Sequence, residues 1–280
     1  MPHIQHSDGA KIYWEAAGRG EPLLLIMGLG SASDMWYRLL PEFQSRYRTI
    51  LFDNRGVGRS DPPHGHYSIV TMASDAAAVM DAAGVESAHV LGFSMGGFIA
   101  QEFALNYPER VRKLILASTA CGGREVVWAA PEVLTALAAK DVKTREEGFW
   151  STAPYNYEAA TPRALMEEDL EVTLRHPLKR ESYQAQLQAI MTWEGSYSRL
   201  KNLDVPTLVL HGDRDQLIPT ENGRILARAI PNAELVLIHG AGHRFMTDKL
   251  EASREAILSF LDKGKIYKSV PPAVAGGSQL

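Results

Sequence analysis

The residues that could do chemistry here are one serine on a glycine-flanked turn, and histidines and carboxylates in two later loops. Ser94 stands in Gly92-Phe93-Ser94-Met95-Gly96. The run His89-Val90-Leu91 before it is rich in strand formers, and a helical pattern begins at once after it. A strand meeting a helix without a loop forces a sharp turn. Gly92 and Gly96 lack the β-carbons that would collide there, which leaves the Ser94 hydroxyl exposed at the sheet edge. The free N–H groups and positive dipole end of the following helix point back at it. That suits a nucleophile that must hold a negatively charged adduct. A glycine-rich turn with a solvated serine would carry the same five letters, and the flanking strand and helix distinguish the two.

A serine hydroxyl is barely nucleophilic at neutral pH and needs a base, with a third group to orient that base. In open α/β sheets such groups gather beyond the carboxyl ends of the strands. After the apolar run 206–210 comes His211-Gly212-Asp213-Arg214-Asp215, and after the run 234–238 comes His239-Gly240-Ala241-Gly242-His243. Asp213 lies close to its strand beside Arg214 and could brace the loop, so Asp215, which reaches farther, is preferred as the orienting acid. His239 belongs to the strand end, so His243, in a glycine-bearing loop, is preferred as the base. His3, His6, His64, His66, His89, His176 and His211 read as surface or structural residues. The oxyanion of an acyl adduct needs two donors. The backbone N–H groups of Met95 and Leu29 are the expected pair, the latter in the turn Met27-Gly28-Leu29-Gly30. The single cysteine, Cys121, has no catalytic-cysteine signature around it and reads as a small buried residue. No His, Cys or Glu spacing resembles a metal site, and no cofactor is expected.

These side chains must be positioned by the chain around them. Residues 3–7 and 10–17 read as a hairpin turning at Asp8-Gly9. Continuously apolar strands are expected at 22–27 and 49–53, each covered on both faces. A helix is expected through Trp36, Leu39, Leu40, Phe43 and Tyr47, and another over 69–83 with Gly84 as its stop. The Ser94 strand and helix, then a strand over 113–118, continue the alternation. That pattern gives a mostly parallel eight-stranded sheet with helices on both faces and an antiparallel edge. From about 121 to 200 the alternation stops in a helical, polar stretch with Trp128, Trp150, Trp193 and several tyrosines. It reads as an inserted helical cap whose aromatics line its underside. The alternation resumes through the strands at 206–210 and 234–238, with helices near 221–230 and 247–263. The expected organisation is a core of residues 1–120 and 201–263, a cap of 121–200, and a flexible tail of 264–280.

Length allows one large domain or two small ones, single α/β domains often reach this size, and the composition is ordinary for a globular protein: 280 residues, 45% hydrophobic and 22% charged. A net charge of −4 with no Lys/Arg block argues against nucleic acid or an anionic membrane as partner. One cysteine allows no internal disulfide, the first residues lack a signal-peptide pattern, and no apolar run is long enough to span a bilayer. A cytoplasmic protein acting on a small molecule is expected, and a homodimer is allowed.

Taken together, Gly92-Phe93-Ser94-Met95-Gly96, Gly212-Asp213-Arg214-Asp215 and Gly242-His243 resemble the α/β-hydrolase-fold enzymes, in the branch of enol-lactonases, small carboxylesterases, non-haem haloperoxidases and carbon–carbon bond hydrolases. The chain order Ser, Asp, His is also theirs. Asp53-Asn54-Arg55-Gly56-Val57-Gly58-Arg59-Ser60 is similar to the family's loop after the fourth strand. The resemblance spans roughly residues 3–263. It implies Ser94 as nucleophile, His243 as base and then acid, and Asp215 as orienter. Asp53, Arg55 and Ser60 are expected to knit their loop to the sheet. Met27 stands where the family commonly has histidine, which leaves open what steadies the oxyanion turn. The expected activity is hydrolysis of an ester or lactone of a small or medium, largely apolar substrate. Perhydrolysis, carbon–carbon cleavage or acyl transfer on the same triad, and a ligand receptor with weak hydrolase activity, are the alternatives.

Overall fold

Among the residues that the computed structural model describes (2–6, 8–62, 67–138 and 143–263), eight strands form one sheet. They are β1 (His3–Gln5), β2 (Lys11–Ala17), β3 (Glu21–Ile26), β4 (Tyr47–Phe52), β5 (Ala88–Phe93), β6 (Val111–Ala117), β7 (Thr207–Gly212) and β8 (Ala233–Ile238). The spatial order is β1-β2-β4-β3-β5-β6-β7-β8, antiparallel for the first two pairings and parallel from β4 onward. The expected architecture is therefore the observed one. His64, His66 and the tail 264–280 lie outside the described residues.

Side-chain alternation along the central strands divides the interior into two layers. Leu24 and Ile26 of β3 face one apolar cluster together with Val90, while Leu23, Leu25 and Met27 face another with Leu91 and Phe93. The first cluster is completed by α2 (Ile69–Ala82), α3 (Met95–Asn106) and α9 (Glu221–Ala229), the second by α1 (Leu40–Arg46) and α11 (Leu250–Asp262). Between β6 and β7 the chain forms α4 (Pro131–Ala138), α5 (Arg145–Asn156), α6 (Arg163–Leu174), α7 (Arg180–Met191) and α8 (Tyr197–Leu200). A short α10 (Phe245–Asp248) precedes α11.

The expected helix through Trp36 and Tyr47 is a correction. A one-turn 3-10 segment covers Ser33–Trp36, α1 starts only at Leu40 with Pro41 in its first turn, and Tyr47 already opens β4. Proline fits a first helical turn, where its missing N–H is not needed, and so marks a start rather than an interior. Nor do the aromatics of the insertion all line its underside. Trp128 is exposed on the surface, and Trp193 glues the insertion to α3 by stacking on Phe98 at 5.0 Å and donating to Glu102 over 2.7 Å.

The loop after β4 is held by buried charge, as expected. The Asp53 carboxylate accepts from Ser33 N at 2.7 Å, Ser33 Oγ at 2.7 Å, Arg59 N at 2.9 Å and Arg59 Nε at 2.7 Å. Burial alone would make this carboxyl a weaker acid, but Arg59 and these N–H donors outweigh burial and hold its pKa below the usual carboxylate range. Arg55 clamps Asp75 through Nε at 2.7 Å and Nη2 at 2.6 Å. Ser60 bridges Tyr13 N and Asp53 O. Removing one member of a buried pair strands the other, at a cost of about 3–5 kcal/mol. Asp53→Ala is therefore expected to lower the unfolding free energy by about that amount at pH 7, measured by urea titration. Because the folded carboxyl is the more acidic one, the gap from the parent should close only as the pH falls below about 4.

Candidate active site

Ser94 sits between β5 and α3 with φ 57° and ψ −121°, a left-handed conformation rare for a residue with a side chain. The turn is tight enough to need its glycines. A β-carbon on Gly96 would lie 2.1 Å from the Ile26 carbonyl oxygen, and one on Gly92 would lie 2.2 Å from that of Gly96. Backbone bonds lock the turn, with Ser94 N donating to Ala117 O at 2.9 Å and Gly97 N to Ser94 O at 2.8 Å. The turn after β3 presses against it. A β-carbon on Gly28 would meet Ser94 Cβ at 3.0 Å and Oγ at 3.5 Å. Among the described residues, neither the Leu29 nor the Met95 N–H donates to another group, so both remain available.

Asp215 and His243 come together as the loop positions required. His243 Nδ1 lies 2.8 Å from Asp215 Oδ2, and both side chains are buried. A carboxylate can only accept, so Nδ1 carries the proton, and the neutral ring would have its lone pair on Nε2. The imidazole packs against Phe93, the residue before Ser94, with ring centroids 5.0 Å apart. The Ser94 hydroxyl is not hydrogen-bonded to it among the described residues, and such contacts commonly tighten only when substrate fills the site. Asp213 instead braces its loop, accepting from Gly240 N at 2.7 Å and His239 Nδ1 at 2.6 Å, and His239 is exposed.

The Asp215 carboxylate has four donors. Oδ1 accepts from Leu217 N at 3.0 Å and Ile218 N at 2.8 Å, and Oδ2 from His243 and, at 3.2 Å, from His211 Nε2. Burial alone would make this acid weaker, but the two imidazoles and their hydrogen bonds hold it well below the usual carboxylate range. His211, expected as a surface or structural residue, is a structural one. It is fully buried, its Nε2 also faces Ile218 O at 2.8 Å, and with acceptors on both sides that nitrogen must be protonated. The signal in the sequence was His211-Gly212-Asp213-Arg214-Asp215, in which a tight turn folds the first residue back on the fifth. Ser118 was also missed. It has φ 43° and donates to the His243 carbonyl at 3.0 Å, fixing the backbone of that loop.

The turn Met27-Gly28-Leu29-Gly30, whose support the sequence left open, is held by side chains from outside it. Asn54 Nδ2 donates to Met27 O at 2.8 Å, Gln186 Oε1 of α7 accepts from Gly30 N at 2.8 Å, and Arg145 Nη2 of α5 donates to Gly30 O at 3.0 Å. The insertion thus supplies two of these three side chains. Cys121 is buried and its thiol is pushed up to about 11, chiefly by burial, which makes it a poor nucleophile at neutral pH. Among the described residues no group of three or more His, Cys, Asp or Glu side chains could hold a metal ion, and no helix is long and apolar enough to cross a membrane.

A hydroxyl on a strained turn, free N–H donors at its side and an imidazole with a committed Nδ1–H can together carry out acyl transfer. Comparison with known proteins agrees with that class of chemistry. The model of the family described as alpha/beta hydrolase fold matches residues 21–250. A poly(3-hydroxyalkanoate) depolymerase of Ectopseudomonas oleovorans is 34% identical over 261 residues, covering 91% of this chain and 89% of that protein. A protein of Azorhizobium caulinodans that carries the name carbamate hydrolase RutD is 30% identical over 272 residues, covering 93% of this chain and 98% of that one. The solved structure of an esterase from Exiguobacterium antarcticum superposes with a TM-score of 0.82 at 27% identity, covering 93% of this chain and 98% of that one.

Loss of the His211 donor should reach catalysis through Asp215. With one donor fewer the carboxylate pulls harder on the His243 N–H. In His211→Leu the acid limb of the kcat/KM profile is expected to move up by about half a pH unit or more, read with any ester the parent hydrolyses. An unmoved limb in a folded variant would leave His211 a purely structural residue.

Proposed function

The chain belongs to the alpha/beta hydrolase fold family, and on that premise we propose that it is a serine hydrolase cleaving a carboxylic ester or lactone of small or medium size. In this reading Ser94 is the nucleophile, His243 the general base and then acid, and Asp215 the group that fixes the imidazole. The N–H groups of Leu29 and Met95 stabilise the oxyanion. The observation that carries the reading is the buried 2.8 Å contact between Asp215 and His243 Nδ1, on a ring packed against the residue next to Ser94.

The steps follow from those roles. His243 Nε2 takes the Ser94 proton as Oγ bonds to the substrate carbonyl carbon, and the carbonyl oxygen becomes the oxyanion between the two N–H groups. The tetrahedral adduct collapses, the carbon–oxygen bond to the alcohol breaks, and the alcohol leaves with the proton from His243. Water then repeats the sequence on the acyl-enzyme and frees the acid and Ser94. The ester assignment draws on the esterase structure and on a relative whose name denotes a polyester depolymerase. A carbamate is the second reading. It draws on the relative named as a carbamate hydrolase, which is similar over nearly its whole length, and it uses the same steps at a carbonyl flanked by nitrogen.

A fluorophosphonate probe should label the protein once, at Ser94, and Ser94→Ala should abolish labelling. Turnover of a p-nitrophenyl butyrate, γ-lactone and methyl carbamate panel identifies the bond class. Ser94→Ala is expected to lower kcat by on the order of 10⁴-fold or more, and Asp215→Asn by about 10⁴-fold. Full turnover by Ser94→Ala on every member of the panel would overturn the reading.

A further inference from the structure

The loop that carries His243 is held from two sides. On the sheet side, Ser118 Oγ donates to His243 O at 3.0 Å, Arg214 N donates to Ala241 O at 2.9 Å, and Asp215 accepts from the imidazole. On the other side the loop lies against the end of α5 and the residues just after it. Arg244 N donates to Asn156 O at 2.8 Å. The approach there is backbone on backbone. A β-carbon on Gly242 would lie 3.1 Å from Asn156 O and Tyr157 C and 3.2 Å from Glu158 N, a closeness that a glycine permits.

One side chain closes this contact. Asp248, the last residue of α10, brings Oδ2 to Gly242 N at 2.7 Å and to Glu158 N at 3.1 Å. A single oxygen thus accepts one N–H from the loop of His243 and one from the insertion. Its Oδ1 accepts from Thr161 Oγ1 at 2.7 Å. A second carboxylate reaches the other way. Asp169 of α6 accepts from Thr247 Oγ1 of α10 at 2.7 Å and from Tyr157 Oη at 2.9 Å. The two acids differ in their partners. Asp169 also faces Arg38 at 3.1 Å, whereas Asp248 enters no ion pair with a described residue. Burial makes Asp248 a weaker acid than an ordinary carboxyl; Thr161 and the two N–H donors oppose that push, and the Glu158 carboxylate adds to it. A carboxyl that is weaker when folded costs stability once it is ionised. What this position provides is an oxygen at the junction of two segments, rather than a charge.

We propose that Asp248 is a positioning residue for the reaction: by joining Gly242 to Glu158 it makes the insertion the second support of the loop that carries His243, and so fixes where the imidazole stands. This rests on the reading of His243 as the base, whereas the placement of its ring can be observed without turnover. Gly242 directly precedes His243, and Arg244 directly follows it. Both neighbours of the base are therefore tied to the insertion, one through Asp248 and one through Asn156. A misplacement of about 1 Å in a reacting group can cost on the order of 10²-fold in rate. Asp248 touches no substrate in this role, so its loss falls on kcat and leaves KM nearly unchanged.

Three variants of the full chain test this, by kinetics on any ester the parent hydrolyses and by proton resonance. Asp248→Ala removes the shared oxygen and is expected to lower kcat by about 10–100-fold, with KM within about twofold. Asp248→Asn keeps an oxygen of the same reach and can turn its amide toward Thr161, so most of that loss should be recovered. Gly242→Ala leaves Asp248 in place but wedges a methyl group between the same two segments, and kcat should fall in the same direction. The low-field resonance of the His243 Nδ1 proton gives a reading without substrate. It should broaden or vanish in Asp248→Ala and return in Asp248→Asn. A folded Asp248→Ala with the parent's kcat and an unchanged resonance overturns the proposal. So does an Asp248→Asn as impaired as Asp248→Ala, since charge rather than placement would then be responsible. Ser94-dependent turnover that is indifferent to Asp248 leaves the hydrolase reading standing without this role. A resonance lost in Asp248→Ala and regained in Asp248→Asn, in a protein that turns over no ester, keeps the role and sinks the ester reading. Thermal melts show whether Asp248→Ala is folded at the assay temperature; where it is not, Gly242→Ala decides by the same two measurements.

Discussion

A buried negative charge at Asp215 is what the rest of the site is arranged around. An ionised carboxylate removed from water is tolerated only when donors replace its hydration. Two of the four donors, the N–H groups of Leu217 and Ile218, are local to its own turn. The other two are imidazoles from different places, His211 at the end of β7 and His243 beyond β8. Compensation therefore requires those strands to run side by side in register, as Gly212 and Ile238 do. The same requirement fixes the tautomer of His243, since only a protonated Nδ1 can serve the carboxylate. Stability and chemical competence thus draw on one set of contacts.

A second dependence runs from the insertion into the sheet. The turn bearing Leu29 is built around Met27, whose side chain belongs to the apolar layer and offers no hydrogen bond to the loop. Asn54 from the next loop secures the Met27 carbonyl, while Gln186 and Arg145 hold the two sides of Gly30. Gln186 also donates to Arg55 O at 2.9 Å, which joins α7 to the loop after β4. The backbone on either side of Leu29 is therefore held jointly by sheet and insertion. Movement of α5 or α7 would be felt at Leu29 before it reached Ser94.

How much of this was legible in the residues differs by the physics involved. Parallel strands covered on both faces read as unbroken apolar runs, so β3, β4, β5 and β7 were visible and their ends lay within a few residues of the expected ones. Strand ends directed the search to the loops after β7 and β8, and Asp215 and His243 meet there. Tyr47 was misread because its spacing of four from Phe43 fits a helix, and only tertiary contacts reveal that the chain has already turned into β4. His211 was passed over because its role depends on a turn that brings two residues four apart around one carboxylate. Trp193 has an indole N–H that, once enclosed, needs an acceptor, and Glu102 supplied it. Which arginines would find acids was invisible, since pairing is decided by which surfaces meet.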